Sequence, residues 1–531
     1  MHLPRFGALI VAVCVSASTL FAQKTIDLDA ATIADVSAAF AKGTLTSERL
    51  TQMFLSRIDA YDRKGPMLRA VITVNPKALD TARAMDAERK TGKVRGPLHG
   101  IPIVLKDNID TADLPTTGGS VMLEGSIPPD DAFVVKKLRA AGAVIVAKVN
   151  LSEFASGAAH SSLGGQILNP HDLSRTPSGS SGGTGASIAA AFAMAGLGTD
   201  TGGSVRGPST ANGIAGLKTT MGLVSRDGVI PLALSFDTVG PMARSVYDVA
   251  AMLNVIAGVD PADAATRAGE GKAAADYTQS LKGDALTGAR IGIARDFLGQ
   301  DADVDWIMEA SLEAMRKRGA TIVDVRLPKW LLDAKGEYYN AIRYPEFVVQ
   351  IADYLKTLGP KYPKSITELI DRARLVNAPT AAGGSPNPVR WSLMVRESGS
   401  GTLTDYQYTS VRDHGLPLVR AVLDGILKAN NLDAIAYPTA SRRPQRNDAP
   451  AEPPGGASSS GSNLANLSGF PEMIVPAGFS TEDLPIGISF LGPAFSESRL
   501  LAIGFAFEQA THARRLPIHT PLRSGESIAI Q

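Results

Sequence analysis

TPSGSSGGTGASIAAAFAMAGLGTDTGGSVRGP, residues 176–208, is the stretch on which the reading of this chain turns. It sets Ser180 and Ser204 twenty-four residues apart on either side of a run of small residues, with no histidine between them. In Asp200-Thr201-Gly202-Gly203-Ser204-Val205-Arg206 the glycines allow a tight turn that points successive N–H groups into one cavity, as an oxyanion site requires. A serine so placed is a candidate nucleophile. A phosphate-binding loop is the other use of such glycines, but Walker spacing is missing and no GxGxxG run opens a helix after a strand.

On either side of this module strands and helices alternate. Residues 102–105, 144–147 and 196–199 read as strands, and 132–141 and 187–195 as helices. The same rhythm continues at 290–294, 304–318, 321–325 and 434–437. Alternation of this kind predicts an α/β protein with a largely parallel or mixed sheet and helices on its faces. Upstream, 28–64 carries helical periodicity, followed by a short strand at 70–74 and a polar helix at 75–89. No repeat at a fixed period is present. The chain has 531 residues, 44% hydrophobic and 20% charged, a composition that supports one large core. Two stretches, 377–388 and 441–462, are rich in Pro, Gly, Ser and Ala; they read either as surface loops or as a rim over the active site.

A serine nucleophile needs a base. Beyond the N-terminal segment the histidines are His99, His160, His171, His414, His512 and His519, and none has a hydrolase context. Gly179-Ser180-Ser181-Gly182-Gly183 formally matches the G-x-S-x-G nucleophile elbow, yet the elbow follows a buried strand and 169–178 is a polar loop with two prolines. A buried lysine can act instead, because desolvation disfavours its charged form. Lys106, at the end of the apolar IPIVL run in HGIPIVLKDNID, is the candidate. The S-x-x-K pairing of penicillin-binding enzymes is absent.

Together these segments resemble the amidase signature family of serine amidohydrolases. The resemblance rests on GIPIVLKDNID around Lys106, AKVNLSEFASG from Ala147, the 176–208 module, GLKTTMGLVSRDGVIPLALSFDTVGPMARSV from Gly216, and NLSGFPEMIVPAG near the C-terminus. It implies a single amidase domain over 23–531, an α/β/α sandwich with a large mixed sheet surrounded by helices, a signature core over about 70–300 and a variable substrate-side region over 330–462. It implies Ser204 as nucleophile, Ser180 as bridging serine behind a cis Gly179–Ser180 peptide, and Lys106 as base. Thr201, Gly202, Gly203 and Ser204 would offer N–H groups to the oxyanion, Ser156 would line the pocket, and Asp200 and Arg206 would support the loop. The reaction implied is hydrolysis of a carboxylic amide, with no metal and no cofactor. A glutaminase subunit of a tRNA-dependent amidotransferase and an exported binding protein on the same fold are the other readings.

Residues 1–22, MHLPRFGALIVAVCVSASTLFA, place Arg5 before an apolar run and then small residues, the pattern of a signal peptide too short to span a bilayer. Cleavage after Ala22, or after Ala17, and export to a periplasm or beyond are expected. Cys14, the one cysteine, falls inside that segment, so the mature chain would have neither disulfides nor thiolate chemistry. The whole chain holds 53 Lys and Arg against 52 Asp and Glu, and Arg5 leaves with the leader, so charge gives no case for nucleic acid or an anionic membrane. No later apolar run reaches transmembrane length. The expected partner is a small-molecule or peptide amide.

Overall fold

The computed structural model describes residues 25–375, 387–449 and 460–530. The expected leader with Cys14, nearly all of 377–388 and the middle of 441–462 lie outside the described residues.

Eleven strands form one mixed sheet, in the spatial order Thr321–Val325, Arg290–Ala294, Ala434–Pro438, Pro485–Leu491, Glu472–Phe479, Ala215–Lys218, Thr238–Ala243, Ala195–Asp200, Pro102–Lys106, Val144–Val149 and Val71–Val74. Pro102–Lys106 runs parallel to both of its neighbours, Val144–Val149 and Ala195–Asp200. Every residue of these three strands is buried, which is why they read as continuous small and apolar runs rather than as an alternating pattern.

Strand periodicity sorts the side chains between two cores. Ile103 and Leu105 enter the core that packs under Val246–Ile256, Ala302–Lys317 and Glu497–Thr511, whereas Val104 enters the core built with Gly182–Ala189 on the opposite face. Lys106 follows Val104 in that alternation, so its amine is delivered to the face that holds the serine module. Further along the sheet, Leu331 and Ile342 of the long helix Lys329–Thr357 cover Ile435 and Tyr437.

The helix expected at 187–195 forms instead as Gly182–Ala189, directly after Ser181, and 195–200 is strand. Glycine's low helix propensity hides this start in the sequence. Packing overrides it: a Cβ on Gly183 would sit 2.1 Å from the Asn150 carbonyl oxygen. The remaining expected strands and helices of the core form within a few residues of their predicted bounds.

The helical layer at the N-terminus is locked to the C-terminal tail. Thr25–Asp27 pairs with Ser527–Ala529, and Thr32 opens Ile33–Lys42 with a reciprocal capping box to Asp35. The fully buried Arg57 binds Glu526 at 2.5 Å and donates to the carbonyls of Thr520 at 2.7 Å, Ala190 at 3.0 Å and Pro521 at 3.1 Å. Removing one partner of a buried ion pair leaves the other charge without compensation, at a cost of about 3–5 kcal/mol. Arg57→Met is therefore expected to lower the urea midpoint by an amount corresponding to that cost. An unchanged midpoint would show that this tie contributes nothing to the fold.

Candidate active site

The three parallel strands end side by side, and their carboxyl ends carry the site. From the first comes Lys106, whose Nζ lies 2.7 Å from Ser180 Oγ, 2.8 Å from Thr199 Oγ1 and 3.4 Å from the Thr199 carbonyl oxygen. Asn108 Nδ2 donates to the same Thr199 Oγ1 at 3.0 Å. The amine is wholly buried. Burial pushes it down to about 7, against the opposing pull of the Asp200 and Asp237 carboxylates. Burial thus loosens the hold of Lys106 on its proton while its Nζ stays within hydrogen-bond distance of the Ser180 hydroxyl.

Ser180 and its neighbours are held from two sides. The Gly179–Ser180 peptide is cis, the Ser180 carbonyl accepts from Ser152 N at 3.0 Å, and Ser181 N donates to the Ser204 carbonyl at 3.1 Å. That last bond ties the two serine segments together. Ser181 itself is sealed: it is fully buried, and its Oγ donates to the Thr199 carbonyl at 3.1 Å. It does not follow a strand, since 176–181 is irregular, which disposes of the elbow geometry at this residue.

Ser204 is only partly buried, in contrast to Lys106 and Ser180, and among the described residues its hydroxyl makes no hydrogen bond. It sits in the turn 201–204, which leads from Ala195–Asp200 into the short helix Arg206–Ala211. Gly203 has φ of +127°, a conformation that side chains rarely adopt. Asp200 organises this turn: its carboxylate accepts from Gly203 N at 2.9 Å, Val205 N at 2.9 Å, Asn466 Nδ2 at 2.9 Å and Arg206 Nε at 3.2 Å. Arg206 in turn binds Glu472 at 2.7 Å and the Asn466 amide oxygen. Burial alone would raise the Asp200 carboxyl, but Arg206, Asn466 and the Val205 N–H outweigh it and hold it well below the usual carboxylate range.

The structure thus brings Lys106, Gly179, Ser180, Asp200, Thr201, Gly202, Gly203, Ser204 and Arg206 into one neighbourhood. One expectation is narrowed. The Gly203 N–H is taken by Asp200, so in this state it is not available to an oxyanion; among the described residues no hydrogen bond engages the N–H of Gly202 or Ser204. Ser156 is partly exposed, and its Oγ accepts from Arg343 Nη2 at 2.8 Å, so Arg343 already occupies it. Arg343 also forms an ion pair with Glu397, which binds Arg390 at 2.8 Å.

Several neighbours carry no sequence signal of their own. Thr199 and Asn108 lie inside quoted motifs without standing out there, and Asp237 lies inside SFDTVGP. Tyr339 and Arg343 lie four residues apart on the Lys329–Thr357 helix, in the region that has no motif. The Tyr339 ring stacks on Phe236 at 5.4 Å, and its hydroxyl would be 2.8 Å from a Cβ on Gly202. Only the i, i+4 spacing links Tyr339 to Arg343 in the sequence, and nothing in it points to the serine turn. Among the described residues no histidine bonds to Lys106, Ser180 or Ser204; His171, buried against Phe479, is pushed down to about 4 by that burial. Among the described residues no group of three or more His, Cys, Asp or Glu is arranged to hold a metal ion, and no helix is long and apolar enough to cross a membrane.

Comparison with known proteins places this geometry in context. The Amidase family profile matches residues 49–501. Peptide amidase from Stenotrophomonas maltophilia superposes with a TM-score of 0.82 at 39% identity, over 93% of this chain and 99% of that one. An amidase family protein from Bacillus anthracis gives 0.81 at 31% identity, over 92% of each chain. In sequence, a glutamyl-tRNA(Gln) amidotransferase subunit of Chloroflexus aggregans is 37% identical over 502 residues, 91% of this chain and 97% of that protein. The chain belongs to the amidase family.

Proposed function

We propose that this protein hydrolyses a neutral carboxylic amide to an acid and ammonia or an amine through an acyl-enzyme on Ser204. The observation that carries the reading is the 2.7 Å contact between a fully buried Lys106 amine and the Ser180 hydroxyl, with partly exposed Ser204 on the adjoining turn.

In this reading neutral Lys106 uses its lone pair as base. The amine takes the Ser180 proton while Ser180 takes that of Ser204, and Ser204 Oγ bonds to the amide carbon. The two protons on Nζ not aimed at Ser180 are directed at the Thr199 hydroxyl and carbonyl. Charge on the carbonyl oxygen meets the N–H groups of Gly202 and Ser204, with each such donor contributing about 3–4 kcal/mol in comparable sites. As the tetrahedral intermediate collapses, the C–N bond breaks and the proton returns through Ser180 to the leaving nitrogen. Water then attacks the ester by the same relay in reverse and releases the acid.

The second reading, a glutaminase subunit, is favoured by the glutamyl-tRNA(Gln) amidotransferase relatives. A free amino acid brings an ammonium and a carboxylate, and both need partners of opposite charge. Here Asp200, Arg206 and Glu472 are bonded to one another, and Arg343 is bonded to Glu397. That arrangement supports a neutral group beside the scissile carbonyl, as in an amidated peptide. The leader-like residues 1–22 support export over assembly with cytoplasmic partner proteins.

Ser204→Ala is expected to abolish both amide turnover and labelling by a fluorophosphonate, while Lys106→Ala lowers kcat most at neutral pH. Release of ammonia or amine from peptide amides, aryl amides, N-acyl amines and free glutamine identifies the substrate class. Turnover of glutamine alone, and only with partner proteins added, would favour the second reading.

Lys106 also makes a stability prediction that does not depend on substrate. Its folded pKa, about 7, lies below the unfolded value near 10.4, so between these pH values the unfolded chain binds the extra proton and the native state gains stability as pH rises. Lys106→Met lacks that gain. The difference in unfolding free energy, variant minus wild type, should therefore fall by about 1.4 kcal/mol per pH unit across this window. A difference independent of pH would mean that Lys106 is charged in the folded protein.

A further inference from the structure

The turn 201–204 contains two glycines, so little of it can be fixed by side chains. Asp200 takes the N–H groups of Gly203 and Val205, which secures the far end. The near end is secured elsewhere. Thr201 is buried, and its Oγ1 donates to Asp237 Oδ1 at 2.5 Å.

Asp237 is itself fixed before it meets Thr201. It is buried, and Oδ2 accepts the N–H groups of Leu232 at 2.9 Å and Ala233 at 3.0 Å. The loop that carries it is clamped from outside by the Lys329–Thr357 helix. Leu234 N donates to Gln350 at 2.8 Å, Ser235 N and Oγ donate to Glu346 at 3.0 and 2.5 Å, and Tyr408 donates to the same Glu346 at 2.9 Å. Between them Phe236 stacks on Tyr339, whose hydroxyl lies over Gly202.

We propose that Asp237 is a positioning residue for amide cleavage: through the Thr201 hydroxyl it holds the near end of the 201–204 turn, so that the Gly202 and Ser204 N–H groups receive the charge that develops on the substrate carbonyl oxygen. The inference rests on Ser204 as nucleophile and adds a residue to that machinery which never touches the substrate. Rigid support of this kind is what separates a preorganised donor from a merely adjacent one. Among the described residues, the ionisable groups that interact with Asp237 include Lys106, Arg226 and Tyr339. Burial raises the Asp237 carboxyl to about 6, and its charge, like that of Asp200, opposes the downward shift of Lys106. Loss of that charge is therefore expected to move the acid limb of kcat/KM to lower pH.

The experiment uses the full chain, an N-acylated amino-acid amide as substrate and a fluorophosphonate as the label for Ser204. Thr201→Val and Asp237→Asn are each expected to lower kcat by about 10- to 100-fold with KM within about threefold of wild type. Thr201→Ser, which keeps the hydroxyl, should stay within about threefold of wild type in both constants. The double variant should be no slower than the slower single one, because both substitutions act on the same contact: Asn presents one acceptor oxygen where Asp237 serves Thr201, Leu232 and Ala233 with two. Asp237→Asn should shift the acid limb downward, whereas Thr201→Val leaves it in place. Equal losses in Thr201→Ser and Thr201→Val, or undiminished kcat in Thr201→Val, would overturn the proposal; the Thr201 pair decides the matter even if Asp237→Asn fails to fold. Failure of the Ser204 reading is seen separately, as a wild-type protein that turns over without labelling at Ser204.

Discussion

A lysine amine buried at the end of an interior strand is the constraint on which the site depends. Lys106 ends a strand that is flanked on both sides by parallel, fully buried strands, so water cannot solvate its charge. Burial there disfavours the ammonium form and pushes the amine down. Strand parity gives the amine its direction. Were the register of Pro102–Lys106 slipped by one residue, the lysine would enter the core under Val246–Ile256, and the serine face would receive Leu105. The parallel arrangement matters for the same reason, because it brings three carboxyl ends to one edge: Lys106 with Asn108, the 150–156 segment, and the 201–204 turn. Ligand sites collect at such ends in open α/β sheets.

The buried charges beside this amine keep the lysine from being driven too far down. Asp200 and Asp237 both oppose the effect of burial on Lys106, and each is anchored for another purpose, Asp200 by Arg206 and Asn466, Asp237 by two backbone N–H groups. Buried ion clusters are weak evidence for stability, since apolar replacements of similar volume often do as well. Here the cluster has a geometric result that an apolar core lacks. The carboxylate of Asp200 gathers two N–H groups of the serine turn and leaves those of Gly202 and Ser204 unengaged. Arg206 and Glu472 extend the anchor to the Glu472–Phe479 strand, which two strands of the sheet separate from Ala195–Asp200.

What is legible in the sequence follows from how locally each feature is encoded. Buried parallel strands such as Val144–Val149 are continuous apolar runs, and the serine module carries its residues in one stretch, so both are readable at nearly the right bounds. The start of Gly182–Ala189 is hidden because its glycines answer to Asn150 across the sheet, a contact with no local trace. Thr199 and Asp237 do not stand out for a related reason: a threonine or an aspartate in a motif is common, and only the partner distant in sequence gives it a role. The engagement of Gly203 by Asp200 is likewise invisible, because spacing shows that an N–H can turn inward but not which acceptor it meets.

The division of labour that results is physical rather than historical. Lys106 and the turn that carries Ser204 sit at strand ends, whereas Ser180 sits in the irregular stretch 176–181 between them. The Lys329–Thr357 helix approaches this neighbourhood through Tyr339 over Gly202 and Arg343 on Ser156. Glu346 and Gln350 of that helix bind the 232–237 loop and, through it, the turn that bears Ser204. At those two residues the helix is coupled to the serine turn: a change at either reaches Asp237 through the 232–237 loop, and Asp237 holds Thr201.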